Sequence, residues 1–187
     1  MITVNKLIPR GQGLAPALLK RATSLSLDWD QRQKSRLDAN DSQGRALGIF
    51  LPRGTVMRGG DVLVAEDGSL IQVQATPQAL LRVSSCAEHG SPFDLLRAAY
   101  HLGNRHVQLE LTPEHLQFEP DHVLAQLLRQ MHLIVTEVQA AFEPEAGAYA
   151  ESHAGHGHEH GHEHGHDHGH AHKHEQVVHV HGPGCKH

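Results

Sequence analysis

Cysteine, long apolar runs and net positive charge are what this chain has little of, and each shortage excludes something. Only two cysteines occur in 187 residues, Cys86 and Cys185, far apart and in unlike surroundings. A disulfide framework is not expected, so the default compartment is the cytoplasm. No apolar run reaches the length of about 18 residues that a membrane-spanning helix needs. The first residues, MITVNKLIPRGQG, show no apolar signal core and no cleavage pattern. The formal net charge of −5 argues against a nucleic-acid surface. Catalytic signatures are missing too. There is no G-x-x-x-x-G-K-[ST] loop for nucleotide phosphates, and upstream of the tail there is no H-E-x-x-H metalloprotease motif. These shortages leave a binding protein as the leading expectation.

What the chain has in excess is histidine, and it is concentrated at one end. Of 20 histidines, 14 lie in the stretch from His153 to His187, mostly at every second position and separated by Gly, Ala, Glu or Asp. The run comprises His153, His156, His158, His160, His162, His164, His166, His168, His170, His172, His174, His179 and His181, then His187. Neutral imidazole suits Ni2+, Zn2+ and Cu2+, and its ordinary pKa of about 6.5 leaves much of it free to coordinate at neutral pH. Glu159, Glu163 and Asp167 add oxygen donors, and Cys185 is a further candidate soft ligand. A segment so poor in apolar side chains builds no core, so residues 147–187 are expected to be a disordered metal-binding tail. The bland alternative, an affinity tag or inert linker, fits poorly with a long, irregular run mixed with acids.

Upstream, residues 1–75 are β-rich. Ile2–Ile8 and Leu25–Trp29 read as strands, and Arg45–Leu51 as a short apolar strand closed by Pro52-Arg-Gly54. Asp38–Gly44 and Arg58-Gly-Gly-Asp61 read as turns. Val62–Ala65 and Leu70–Ala75, joined by Glu66-Asp-Gly-Ser69, form a hairpin. Leu14–Thr23 is open between helix and loop. Such short strands imply a small two-sheet β domain. Thr76-Pro77 marks the boundary, and from residue 76 to 146 the order becomes strand (Ala79–Ser85), helix (Ser91 cap, Pro92 first, stopped by Gly103), strand (Val107–Leu111), strand (Leu116–Phe118), helix (opened by Pro120) and strand (Leu133–Val138). Leu95, Ala98, Ala99 and Leu102 make one face of the first helix; Val123, Leu124, Leu127, Leu128 and Met131 make the stripe of the second. The order βαββαβ is that of a ferredoxin-like sandwich, so the fold class is α+β.

Six histidines lie outside the tail: His89, His101, His106, His115, His122 and His132. His106 stands out because it follows the end of a helix, where a ring projects from a turn. His122 stands out because it occupies the first turn of the next helix beside Asp121. The two places can share one edge of the domain. The plain alternative for Asp121 is a helix-capping acid favoured by the macrodipole.

Several segments taken together resemble a known family. Tyr100-His-Leu-Gly-Asn-Arg-His106, Asp121-His-Val-Leu124 and Phe142-Glu-Pro-Glu-Ala-Gly-Ala-Tyr149 are similar to stretches of the UreE family of urease accessory nickel metallochaperones. So are Lys34-Ser-Arg36, Leu51-Pro-Arg-Gly54 and Arg58-Gly-Gly-Asp61, and the resemblance runs the length of the chain. It implies a cytoplasmic homodimer with a peptide-binding β domain and a ferredoxin-like metal-binding domain. It also implies that His106 pairs with its dimer mate to bind nickel, that tail histidines beginning with His153 add ligands, and that Asp121 and His122 belong to a peripheral site. Pro120 stands where some members carry a histidine, so that site has one imidazole fewer here. The implied work is delivery of Ni2+, with Zn2+ or Cu2+ as possible competitors, through the GTPase UreG to the urease apoprotein activation complex. The alternatives are a metal buffer, in which the tail is the whole function, and a metal enzyme, which would need an open coordination position beside a substrate pocket.

Overall fold

The computed structural model describes residues 1–86, 88 and 90–146; the tail, with every tail histidine named above, lies outside the described residues, as does His89. In the first half, β1 (Ile2–Ile8) is followed by a short α1 (Pro16–Leu19), β2 (Thr23–Leu27), α2 (Trp29–Arg32), β3 (Arg36–Asn40), β4 (Ala46–Phe50), β5 (Val62–Ala65) and β6 (Leu70–Ala75). The alternation expected to run on to Trp29 stops at Asp28, whose carboxylate accepts the Gln31 N–H (2.8 Å) while the Gln31 side chain accepts the Asp28 N–H (3.2 Å). That reciprocal cap turns the chain into α2. Asp38, Ala39 and Asn40, expected in a turn, extend β3 instead, because they pair with Gly48, Leu47 and Ala46.

The expectation of two separate sheets is corrected here. All six strands join one sheet in the order β2-β6-β5-β1-β4-β3, with β1 bridging β4 (parallel) and β5 (antiparallel). Leu25 and Leu27 from one end of this sheet share a core with Leu47 and Ile49 near the other, together with Val4, Leu63 and Ile71. These side chains are almost wholly buried although no long helix covers them. The sheet therefore has to curl over its own face, and its twist permits this.

The second half contains β7 (Gln78–Ser84), α3 (Pro92–Gly103), β8 (Glu110–Leu111), β9 (Leu116–Phe118), α4 (His122–Gln130) and β10 (Ile134–Ala140). Its strands run β10-β7-β9-β8, every neighbouring pair antiparallel, the arrangement expected of a ferredoxin-like sandwich. Leu95, Ala98 and Leu102 of α3 and Ala125 and Leu128 of α4 pack on Leu81, Val83, Leu116 and Phe118. α4 begins at His122 rather than at Pro120, because Asp121 takes the capping position. The strand expected over Val107–Leu111 shrinks to its last two residues. Gln108 turns away from the ladder, accepting a hydrogen bond from the Trp29 indole and donating one to Gln33 (3.2 Å).

Candidate metal centre

His106 owes its exposure to the way α3 ends. Val107 N–H donates to Leu102 O (3.2 Å) and His106 N–H to Gly103 O (2.9 Å), with His106 at φ 58°. This is the Schellman arrangement, whose left-handed residue is most often glycine. α3 ends at Gly103, as expected, but the left-handed position of the motif falls three residues on, at His106, rather than at the glycine. A residue with a Cβ pays about 1 kcal/mol for that conformation. What it gains is a ring held outside the helix, in solvent. Directly before it on α3, Phe93, Leu96 and Tyr100 are 63%, 65% and 71% exposed. Their spacing puts them on one helix face, so an apolar stripe runs toward His106.

The other sequence-predicted residues are placed as follows. Asp121 Oδ1 accepts the Val123 and Leu124 N–H groups (2.8 and 2.9 Å), so this carboxylate caps α4, and His122 is exposed beside it. His115 belongs to the turn between β8 and β9, where Thr112 Oγ contacts its Nδ1 (3.1 Å) and its backbone. His101 lies edge-on to Tyr100, with ring centroids 5.4 Å apart. His132 terminates α4 with φ 63°. Among the described residues, no three His, Cys, Asp or Glu side chains come together closely enough to hold a metal ion. His106, Asp121 and His122 are therefore not one ligand set within the described part of a single chain.

Sequence reasoning missed a network that ties Arg32, Arg58 and Gly59 of the first half to Glu143 beyond β10. Arg32 is fully buried and donates to Glu143 Oε1 (2.7 Å) and to the Phe142 carbonyl. Gly59 N–H also donates to Glu143 Oε1 (2.8 Å), and Arg58 reaches Glu143 Oε2 (3.3 Å) and the Pro144 carbonyl (2.6 Å). Both guanidinium groups lie about 5 Å from the centroid of the Trp29 ring, at 5.1 and 4.9 Å, close enough for cation–π attraction. Phe142 meets the same ring edge-on at 5.9 Å. Burial pushes the Arg32 guanidinium below its usual pKa, and the Glu143 carboxylate opposes that shift. Arg32 Nε is buried without a partner among the described residues, so the cation depends on Glu143. A Cβ at Gly59 would stand 2.9 Å from Glu143 Oε1, so a larger residue there would push the carboxylate out of its present position. The one available signal was Arg58-Gly-Gly-Asp61 and Phe142-Glu-Pro-Glu145 appearing as distinctive segments, without any indication that they meet.

Comparison with known proteins gives a consistent result over both halves. The model for the C-terminal domain of UreE urease accessory protein matches residues 78–182, and that for the N-terminal domain matches residues 4–76. A urease accessory protein UreE from Albidiferax ferrireducens is 61% identical over 187 residues, spanning 100% of this chain and 99% of the relative. One from Methylibium petroleiphilum is 73% identical over 157 residues, 84% of this chain and 72% of the relative. A third, from a Polaromonas species, is 64% identical over 197 aligned positions, covering 100% and 90%.

Proposed function

The chain belongs to the UreE family of urease accessory proteins, and from that premise we propose that it is a nickel carrier whose transferable ion is held by His106. It acts in urease maturation, with Ni2+ as its cargo and Zn2+ or Cu2+ as competitors for the same imidazoles. It works in the cytoplasm as a homodimer and passes the ion through the GTPase UreG to the urease apoprotein activation complex.

The observation that carries this reading is the end of α3. A solvent-facing imidazole sits in a left-handed position where glycine would be less strained, at the end of an exposed apolar stripe. Backbone strain of this kind persists where function uses it. One ring is one ligand, so a single His106 cannot hold an ion against exchange. Two copies related by a two-fold axis bring two rings to the axis, and burial of Phe93, Leu96 and Tyr100 supplies the drive for that pairing. The tail captures ions through many equivalent rings, and His153 is the first able to join the His106 pair. Imidazole ligands leave one at a time or on protonation, so the ion is held without being trapped. Asp121 and His122 form at most an accessory site, because one carboxylate oxygen is already committed to the α4 cap.

The test is urease activation at limiting nickel. His106→Ala removes both rings of the shared site at once and is expected to slow activation at least tenfold, while total nickel bound stays near the wild-type value. Replacing one tail histidine is expected to change neither. Wild-type activation by the His106→Ala protein would remove the delivery role and leave a metal buffer in its place.

A further inference from the structure

The end of α3 leaves one carbonyl to a side chain. Asn104 N–H donates to Tyr100 O (3.0 Å), but Arg105 N–H goes to Leu102 O (3.0 Å) and not one residue further back. The backbone thus passes over His101 O, and the last carbonyls of a helix need partners. The Arg105 guanidinium supplies one, its Nη1 donating to His101 O (2.9 Å). In α4 the corresponding carbonyl, Leu127 O, is served by the backbone N–H of Met131 (3.1 Å). A side chain exposed to solvent is therefore moored to the end of α3, and it belongs to the residue directly before His106.

Mooring fixes a charge in place. Helix geometry keeps a guanidinium bonded to His101 O within about 10 Å of the His106 backbone. That is about the Debye length at 0.1 M ionic strength, so the charge is felt there. Residues 95–109 contain no Asp or Glu to offset it. None of the ion pairs among the described residues involves Arg105. The guanidinium also covers the negative end of the helix dipole, which otherwise favours a cation. Both effects act against a divalent ion at His106, and a two-fold pair doubles them.

We propose that Arg105 sets how loosely the ion at His106 is held: each guanidinium places a fixed positive charge beside the imidazole and weakens the site, so that the ion is given up more readily. This rests on the nickel reading above. Arg105 supplies no ligand, since its guanidinium stays protonated and has no free lone pair to offer. Two such charges acting on a divalent ion through screened solvent weaken binding about threefold at 0.1 M ionic strength and about eightfold at 0.01 M.

The experiment is a nickel titration of the full-length protein against a competing chelator at both ionic strengths. The equivalent that disappears in His106→Ala is the one to follow. Arg105→Gln removes the charge but keeps an amide able to reach His101 O, and Arg105→Lys keeps the charge. Relative to wild type at the same ionic strength, Arg105→Gln is expected to tighten that equivalent about threefold at 0.1 M and about eightfold at 0.01 M. Arg105→Lys is expected to stay within twofold of wild type at both. On the His106→Ala background, Arg105→Gln is expected to change nothing. Unchanged affinity in Arg105→Gln, an effect independent of salt, or one that persists without His106 would overturn the proposal. If Arg105→Gln fails to fold, Arg105→Met takes its place under the same criteria. The His106→Ala titration separates the two claims. If no equivalent is lost there, the nickel reading fails and the role of Arg105 falls with it. If one is lost but Arg105→Gln leaves it untouched, the role of Arg105 alone is wrong.

Discussion

α3 and α4 end in the same way. Each closes with the paired hydrogen bonds of a Schellman motif, Val107 to Leu102 and His106 to Gly103 in one, Leu133 to Leu128 and His132 to Arg129 in the other. Each places an exposed histidine at the left-handed position, φ 58° and φ 63°. The surroundings differ. His106 follows the exposed Phe93, Leu96 and Tyr100 and precedes Leu109, whose carbonyl accepts the Glu145 N–H (2.7 Å). His132 lies just ahead of β10, which begins at Ile134. It borders a cavity of about 670 Å³ shared with Asp94 and Arg97. A strained backbone and an outward ring therefore do not by themselves single out His106. What distinguishes it is the exposed apolar stripe of Phe93, Leu96 and Tyr100 that leads to it.

The widest separation between the two ends is expected in delivery. At limiting nickel His106→Ala should slow urease activation at least tenfold, whereas His132→Ala should stay within twofold of wild type; comparable losses would break the comparison. Next comes assembly. Leu96→Asp places a charge in the apolar stripe and should weaken self-association by tenfold or more in sedimentation equilibrium. Val123→Asp, also on an exposed helical position but on α4, should leave it unchanged.

A smaller effect is expected far from both ends, where a carboxylate is used for stability alone. Burial disfavours the charged form of Asp41, but hydrogen bonds from the Arg45 backbone and side chain, Thr23 and Gln43 outweigh it and bring its pKa down to about 2. A depressed carboxylate stabilises the fold fully above its ordinary value near 4, and that contribution is lost as pH falls from about 4 toward 2. Asp41→Asn should cost about 2 kcal/mol at neutral pH and flatten this acid limb in urea titrations. The smallest effect returns to the helix ends. His106→Gly and His132→Gly should each raise stability by up to about 1 kcal/mol, since glycine takes the left-handed position without strain. Equal gains at the two ends, set against unequal losses in delivery, would separate backbone cost from use.

The parts of the fold governed by nearby residues were legible in the sequence. The β5–β6 hairpin, the apolar face of α3 and the βαββαβ order follow from periodicity and turn residues. His106 was legible as a residue beyond the helix end at Gly103, but its left-handed backbone was not, because the glycine was expected to take that position. Contacts between distant segments were not legible. Arg32 sits in a polar, basic run that reads as solvent-facing, yet it is fully buried because its partner Glu143 comes from the far end of the described chain. Val107–Leu109 has strand periodicity, but Gln108 is drawn to Trp29 and Gln33 instead of a neighbouring strand. The single curled sheet, in place of two, depends on the parallel pairing of β1 with β4, which no local pattern reports.

The most direct test of the central claim is a crystal structure of the nickel-loaded protein with anomalous data collected at the nickel edge. A peak on a two-fold axis between the His106 rings of two copies is the predicted result. Nickel found only on tail residues, with the His106 rings apart, would contradict it.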